Sequence, residues 1–304
     1  MVKFRAWISA ARLRTLPLSV SGIITASAAA VASGQFSATI FILALLTTLG
    51  FQILSNFAND YGDGVKGTDN AERIGPRRAM QSGLLSASEL KWGMGITAVL
   101  TLLVATLLIF VAFGNENFLL SFLFFNLGIA AIIAAITYTV GSKAYGYRAL
   151  GDVFVFLFFG LLGVMGCYFL YAQHLGDFIV LPALTIGLLS AAVLNLNNMR
   201  DRIPDARVNK NTLAVLLGEK TSKLYHTLLV LLAFAAAMIY TFLMGNGWMR
   251  FLPLLAFLPL FHNIKVVFRN TSPALLDPEL KKVALSTFLF SVLLFAVIYF
   301  KDYI

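Results

Sequence analysis

The chain has 304 residues, of which 59% are hydrophobic and only 12% charged, and its mean hydropathy is +0.85. A soluble domain is roughly 45–50% apolar and about 25% charged, so this composition excludes a soluble enzyme and specifies a polytopic membrane protein. The formal charge of +9 then reports membrane topology and requires no nucleic acid, and the single cysteine, Cys167, excludes an internal disulfide and a cysteine-based zinc site.

Residues 1–14 mix basic and apolar side chains (Lys3, Phe4, Arg5, Trp7, Ile8, Arg12). This pattern predicts a segment lying along the membrane interface, with Trp7 at headgroup depth. Apolar runs long enough to cross roughly 30 Å of hydrocarbon follow, at 17–34, 38–58, 92–113, 118–140, 151–171, 178–198, 225–244, 249–268 and 284–300. The expected fold is all-α: one integral-membrane bundle of about nine transmembrane helices over 1–304, with no cleavable signal peptide. Of the 23 Lys and Arg residues, 21 fall in alternate loops on one face, and only Arg250 and Lys301 lie opposite. The positive-inside rule makes that face cytoplasmic, with the N-terminus inside and the C-terminus outside. It holds the two longest polar loops, 59–91 and 199–224, and its bases attract anionic lipid headgroups.

Two motifs are set aside. Gly160, Gly163 and Gly166 have the letters of a nucleotide loop but lie inside an apolar run, where small residues let helices approach closely. His174, His226 and His262 share no ligand spacing.

The acids are distributed unevenly. Only 14 occur in the chain, yet two clusters stand at the cytoplasmic ends of the second and sixth spans: Asn56-Phe-Ala-Asn59-Asp60-Tyr-Gly-Asp63, and Asn197-Asn198-Met-Arg200-Asp201-Arg202-Ile-Pro-Asp205. Residues at i, i+3 and i+4 share a helix face, so Asn56, Asp60 and Asp63 are expected on one side of the second span. Asn197, Asp201 and Asp205 are expected likewise on the sixth, unless Pro204 ends that helix. Four carboxylates this close ionise together only around a cation, and Mg²⁺ favours such hard oxygen ligands together with substrate phosphates. The adjoining bases Lys66, Arg73, Arg77, Arg78, Arg200, Arg202 and Lys210 suit a phosphorylated ligand, Arg bidentately and Lys as a point charge. The alternative is that the acids cap helix ends and pair with nearby arginines; the repetition of Asn-x-x-x-Asp at two helix ends favours one shared metal–diphosphate site. The four-span separation also suggests an internal duplication. A third loop, 137–148, adds Tyr138, Lys143 and Arg148, either as site residues or as an aromatic-belt loop. Asp152 opens the next span at a depth where a carboxyl is costly unless paired.

At these residues the chain resembles the UbiA family of membrane prenyltransferases, and within it the branch acting on 1,4-dihydroxy-2-naphthoate. The resemblance covers nearly the whole chain. It includes Arg14-Thr-Leu-Pro17, Asn56 to Asp69, Arg73-Ile-Gly-Pro76-Arg-Arg78, Ala135 to Gly141, Leu194 to Asp201 and Lys210-Asn-Thr-Leu213. It departs from the wider family at Gly67, where many members carry a third acid; Asp69 stands two residues later. The resemblance implies a UbiA-like fold and transfer of a polyprenyl group from an allylic diphosphate to 1,4-dihydroxy-2-naphthoate, with loss of CO₂ and diphosphate, giving demethylmenaquinone in a bacterial cytoplasmic membrane. It implies Mg²⁺ held by Asp60, Asp63, Asp201 and Asp205 with Asn56 and Asn197 assisting, diphosphate held by Lys66, Arg73, Arg78, Lys143, Arg200 and Lys210, and Tyr138 facing the allylic cation. Rival readings are a related enzyme for 4-hydroxybenzoate or homogentisate, and a cation-coupled transporter; the latter needs broken helices at the midplane, for which the sequence gives no signal.

Overall fold

The computed structural model describes residues 2–70, 74–245 and 247–300. Helix α1 (Val2–Ala11) turns into α2 (Leu16–Ala32) through Arg12, whose φ of 51° makes the elbow, and Pro17 stands in the first turn of α2. Then follow α3 (Ala38–Val65), α4 (Ala87–Phe113) and α5 (Phe118–Thr137). The fifth crossing is composite: α6 (Gly151–Val155), a π-helical stretch over Phe156–Gly166, and α7 (Cys167–Ala172). The chain continues through α8 (Val180–Arg200), the short α9 (Arg202–Arg207), α10 (Leu213–Leu243), a 3₁₀ stretch Trp248–Phe257 running into α11 (Leu258–Arg269), and α12 (Leu276–Tyr299). Among the described residues nine helical segments are long and apolar enough to cross a membrane, and an isolated bridge between Arg148 and Asn211 stands in place of any sheet. The protein is an integral, multi-pass membrane protein.

Side-chain caps start the helices where the loops end. Ser86 and Glu89 form a reciprocal capping box at α4, and Thr212 Oγ1 accepts the Val215 N–H at α10; each cap is worth about 1 kcal/mol. Two crossings are longer than their apolar runs. Helix α10 begins at Leu213 rather than near 225, with a kink at Gly218 (φ 72°), and α12 begins at Leu276 rather than near 284. The early parts of both carry charges, Glu219, Lys220 and Lys223 in α10 and Asp277, Glu279, Lys281 and Lys282 in α12, that lower local hydropathy without ending the helix.

Helix α8 is the central post, packed against the π-helical stretch, α10 and α12. Small residues make this possible: a Cβ on Gly160 would stand 2.7 Å from the Gly187 Cα, and one on Gly22 2.9 Å from the Phe159 carbonyl oxygen. The glycine run is thus a packing seam. His226, also set aside as a ligand, belongs to a buried chain joining α10, α11 and α12. Its Nε2–H donates to Asn263 Oδ1 (2.7 Å), and the Asn263 amide donates to Glu279 (2.8 Å), which pairs with Lys282. A second, smaller core lies beneath α1, where Ala6 and Ala10 meet Leu54, Phe57, Leu90 and Met94. Trp7 packs against it edge-on to Phe57, with centroids 5.1 Å apart, and Phe4 is the exposed aromatic of α1.

Between α2–α5, the π-helical stretch, α8 and α12 lies a cavity of about 800 Å³. Phe124, Leu127, Phe158, Phe159 and Leu162 line its apolar part, and both aspartate corners lie at its polar mouth.

Candidate active site

At the first corner, Gly67 (φ 72°) ends α3 and folds the chain back, so that the Thr68 N–H donates to the Asp63 carbonyl (2.9 Å). Asn59 and Asp63, four residues apart, face the cavity. The expected common face of Asn56, Asp60 and Asp63 divides. The Asn56 amide donates to Ala11 O (2.8 Å) and Thr15 Oγ1 (3.2 Å), tying α3 to the α1–α2 elbow. The Asp60 carboxylate accepts the backbone N–H groups of Ala79 and Met80 (3.1 and 3.2 Å) and so holds the following loop. The reason is helical geometry: three residues advance about 300°, which leaves Asp60 about 60° round the cylinder from Asp63 and within reach of loop amides.

Asp63 is the hub. Its Oδ1 accepts the Tyr147 hydroxyl proton at 2.7 Å, while Oδ2 lies 3.6 Å from Arg78 Nη2 and 3.5 Å from Lys210 Nζ. Arg78 also reaches Asp69 (3.5 Å), so the displaced third acid is buried beside the site through an arginine. Lys66 is exposed, with its ammonium 4.0 Å from the Tyr147 ring centroid. Partial burial lowers its pKa, opposed by Asp63 and reinforced by Lys210.

At the second corner, α8 ends at Arg200, the helix breaks at Asp201, and α9 restarts with Pro204 in its first turn, where a missing N–H costs nothing. Arg200 is fully buried and bidentate on Asp201 (3.0 and 2.6 Å); it also donates to Asn197 Oδ1 (2.8 Å) and pairs with Asp277 at the start of α12. Lys210 closes the site, lying 3.8 Å from Asp205 Oδ1 as well as 3.5 Å from Asp63. One ammonium thus spans the two corners, whose acids are about 140 residues apart in the chain.

Tyr138 faces the cavity in a row with Tyr145 and Phe154, edge-on to Tyr145 at 5.2 Å, with Tyr145 stacked on Phe154 at 4.1 Å. Burial, with the negative charge of Asp152 next, holds the Tyr138 phenol well above its ordinary pKa and therefore neutral. Asp152 itself is buried behind this row. Lys143 is exposed and does not line the cavity, and Arg73 lies outside the described residues. The four acids do not close into a cage: among the described residues no three His, Cys, Asp or Glu side chains gather closely enough to hold a metal ion. Arg78, Arg200 and Lys210 stand between the acids instead.

The profile of the UbiA prenyltransferase family matches residues 20–288. The chain belongs to the UbiA prenyltransferase family. Among its relatives, the 1,4-dihydroxy-2-naphthoate octaprenyltransferase of Haemophilus influenzae is 44% identical over 293 residues, covering 96% of this chain and 94% of that one. The Escherichia coli protein of the same name is 41% identical, covering 95% and 93%. In fold, the chain is similar to a UbiA homologue from Archaeoglobus fulgidus bound to GPP and Mg²⁺ (TM-score 0.65, 19% identity, covering 98% of this chain and 100% of that one). It also resembles the apo UbiA homologue from Aeropyrum pernix K1 (TM-score 0.66, 14% identity, covering 96% and 97%).

Sequence reasoning passed over several residues of this family site. Tyr147 and Thr68 lie in stretches that the sequence singles out, the 137–148 loop and Asn56 to Asp69, but their contacts with Asp63 are not signalled there, and Asp277 reaches Arg200 from 77 residues away. Arg12 and Arg14 line the cavity, although their charge reads equally well as a topology signal.

Proposed function

We propose that this chain transfers a polyprenyl group from an allylic polyprenyl diphosphate to 1,4-dihydroxy-2-naphthoate in a bacterial cytoplasmic membrane, with the cavity mouth opening to the cytoplasm. The observation that carries the site assignment is the Asp63–Lys210–Asp205 bridge at the polar mouth of an otherwise apolar cavity. The full-length relatives named for this acceptor supply the substrate.

The donor set fits Mg²⁺. Asp63 and Asp205 already gather about one cationic group. Mg²⁺ commonly takes only one or two carboxylates and completes its shell with water and substrate phosphates, so a closed protein cage is not required. Asp63 and Asp205 would hold it, with Asp60 and Asn56 setting the shape of the α3 corner and with Asp201, gripped by Arg200, and Asn197 beside them. When bound, the metal supplies Lewis acidity to the diphosphate oxygens.

The protein's own groups do the rest. Arg78 and Lys210, with Arg200 behind them and Lys66 at the rim, face the charge that grows on the departing diphosphate. Tyr138 and Tyr145 present neutral aromatic faces to the allylic carbon as its C–O bond breaks; cation–π attraction there is worth about 0.5–2 kcal/mol per ring. The apolar lining excludes water, so the electrophile meets the electron-rich naphthalene ring rather than a hydroxide. The ring carbon bearing the carboxylate forms the new C–C bond. That carboxylate leaves as CO₂ and returns its electron pair to the ring, which gives the reduced form of demethylmenaquinone.

The test is an acceptor panel with purified protein, Mg²⁺ and a polyprenyl diphosphate, with products identified by mass. Prenylated, decarboxylated naphthalenediol is expected; product formed only with 4-hydroxybenzoate or homogentisate overturns the acceptor assignment.

A further inference from the structure

Tyr147 lies on a 3₁₀ turn, Tyr145–Tyr147, whose middle residue, Gly146, is buried. The Gly146 N–H donates to the Tyr138 carbonyl at 2.9 Å, and a Cβ on Gly146 would stand 2.6 Å from that oxygen. The turn therefore fixes the register between Tyr138, which faces the cavity, and Tyr147, which does not line it. The Tyr147 hydroxyl has two oxygen neighbours, Asp63 Oδ1 at 2.7 Å and Thr68 Oγ1 at 2.6 Å. A carboxylate only accepts, so the phenol proton goes to Asp63, and the Thr68 hydroxyl donates to the phenol oxygen. Thr68 is in turn bound through its backbone N–H to the Asp63 carbonyl, which closes a small ring of bonds.

Two consequences meet in this one side chain. With Oδ1 engaged, Asp63 turns Oδ2 toward Arg78 and Lys210. The ring itself carries both lysines of the site, Lys66 at 4.0 Å and Lys210 at 5.3 Å from its centroid. A residue that merely filled space here would need neither the hydroxyl nor two ammonium groups on its ring.

We propose that Tyr147 is a positioning residue, whose hydroxyl selects the Asp63 oxygen presented to the metal and whose ring seats Lys66 and Lys210 for the diphosphate. This rests on the reading of Asp63 as a metal ligand. The two halves of the role separate by mutation: Tyr147→Phe removes the hydroxyl and keeps the ring, and Tyr147→Leu removes both.

The experiment measures two affinities on the purified full-length protein, without turnover. One is for Mn²⁺, by its free-ion electron paramagnetic resonance signal with a prenyl thiodiphosphate present; the other is for the thiodiphosphate alone, by calorimetry in chelator. Loss of a hydrogen bond to a charged group predicts about tenfold weaker Mn²⁺ binding in Tyr147→Phe, with metal-free thiodiphosphate affinity within about twofold of the parent. Tyr147→Leu should weaken the metal-free affinity as well, by about fivefold for the lost cation–π seats. Thr68→Val, which removes only the donor to the phenol, should weaken Mn²⁺ binding in the same direction by a smaller factor. Unchanged Mn²⁺ affinity in Tyr147→Phe overturns the proposal, including the case where its thermal stability falls, because a structural role alone moves stability and not the metal. If Tyr147→Phe does not fold, Thr68→Val decides in the same way. Asp63→Asn is the control: if it binds Mn²⁺ like the parent, the metal assignment of Asp63 fails, independently of Tyr147.

Discussion

The two aspartate corners end helices with the same Asn-x-x-x-Asp lettering, yet they are secured by different chemistry. At the α3 corner neutral donors help to hold the carboxylates, two backbone N–H groups on Asp60 and a phenol on Asp63, and Asp63 has Arg78 and Lys210 at 3.6 and 3.5 Å as well. At the α8 corner Asp201 is locked bidentately to a buried guanidinium. Dipolar donors hold a carboxylate in place and leave its charge available. A bidentate guanidinium neutralises it and makes it structural until something displaces the arginine. At Asp63 the guanidinium and the ammonium lie near the limit of ion-pair reach, so this carboxylate is gripped less closely by cations than Asp201 is.

Mutations can break this contrast, beginning with the α8 corner. Arg200→Ala leaves the buried Asp201 without its guanidinium, and we expect destabilisation of about 3–5 kcal/mol, read as lost folded yield and a lowered Tm in detergent; a Tm equal to the parent's contradicts the lock. Asp63→Asn should instead lose less stability than Arg200→Ala and about 10²–10³-fold in kcat/KM; equal Tm values for these two variants would erase the distinction between the corners. Asp60→Asn should lose activity together with about 1.5–3 kcal/mol of stability, also read in Tm, because its charge holds two loop amides. Asp277 is half-exposed, so Asp277→Asn should cost only about 1 kcal/mol of stability, seen as a small fall in Tm. The smallest effect concerns Lys66, whose pKa lies below its ordinary 10.5. As pH rises it loses its charge earlier than a free lysine, so donor binding weakens from a lower pH, while folding stability gains slightly because the unfolded chain binds that proton more tightly. Lys66→Arg should move the alkaline limb of donor binding upward; a limb that stays in place removes Lys66 from the diphosphate's partners.

Most of the bundle was legible in the sequence, because spans of this length admit few alternatives. The early starts of α10 and α12 were hidden, since Glu219, Lys220 and Lys223 in one case and Asp277, Glu279, Lys281 and Lys282 in the other depress hydropathy while remaining good helix formers. The acids of the site announced themselves by repetition. Their orientation did not: the same spacing that puts Asn56, Asp60 and Asp63 within 60° of one another leaves each free to choose a partner, and those partners come from the α1–α2 elbow, the 79–80 loop and the 145–147 turn. Tyr147 lies 84 residues from Asp63, and no local pattern signals such a pairing.

The position of Lys210 has a further consequence for the order in which ligands favour one another. On the proposed reading of Asp63 and Asp205 as metal ligands, a divalent ion arriving alone competes with this ammonium for its carboxylates. Arriving with a diphosphate, it brings the anion to which the ammonium can turn. On that proposal metal and donor strengthen each other's binding, and by thermodynamic linkage each does so by the same factor. Lys210→Met would uncouple them, raising affinity for metal alone while the benefit of adding donor shrinks.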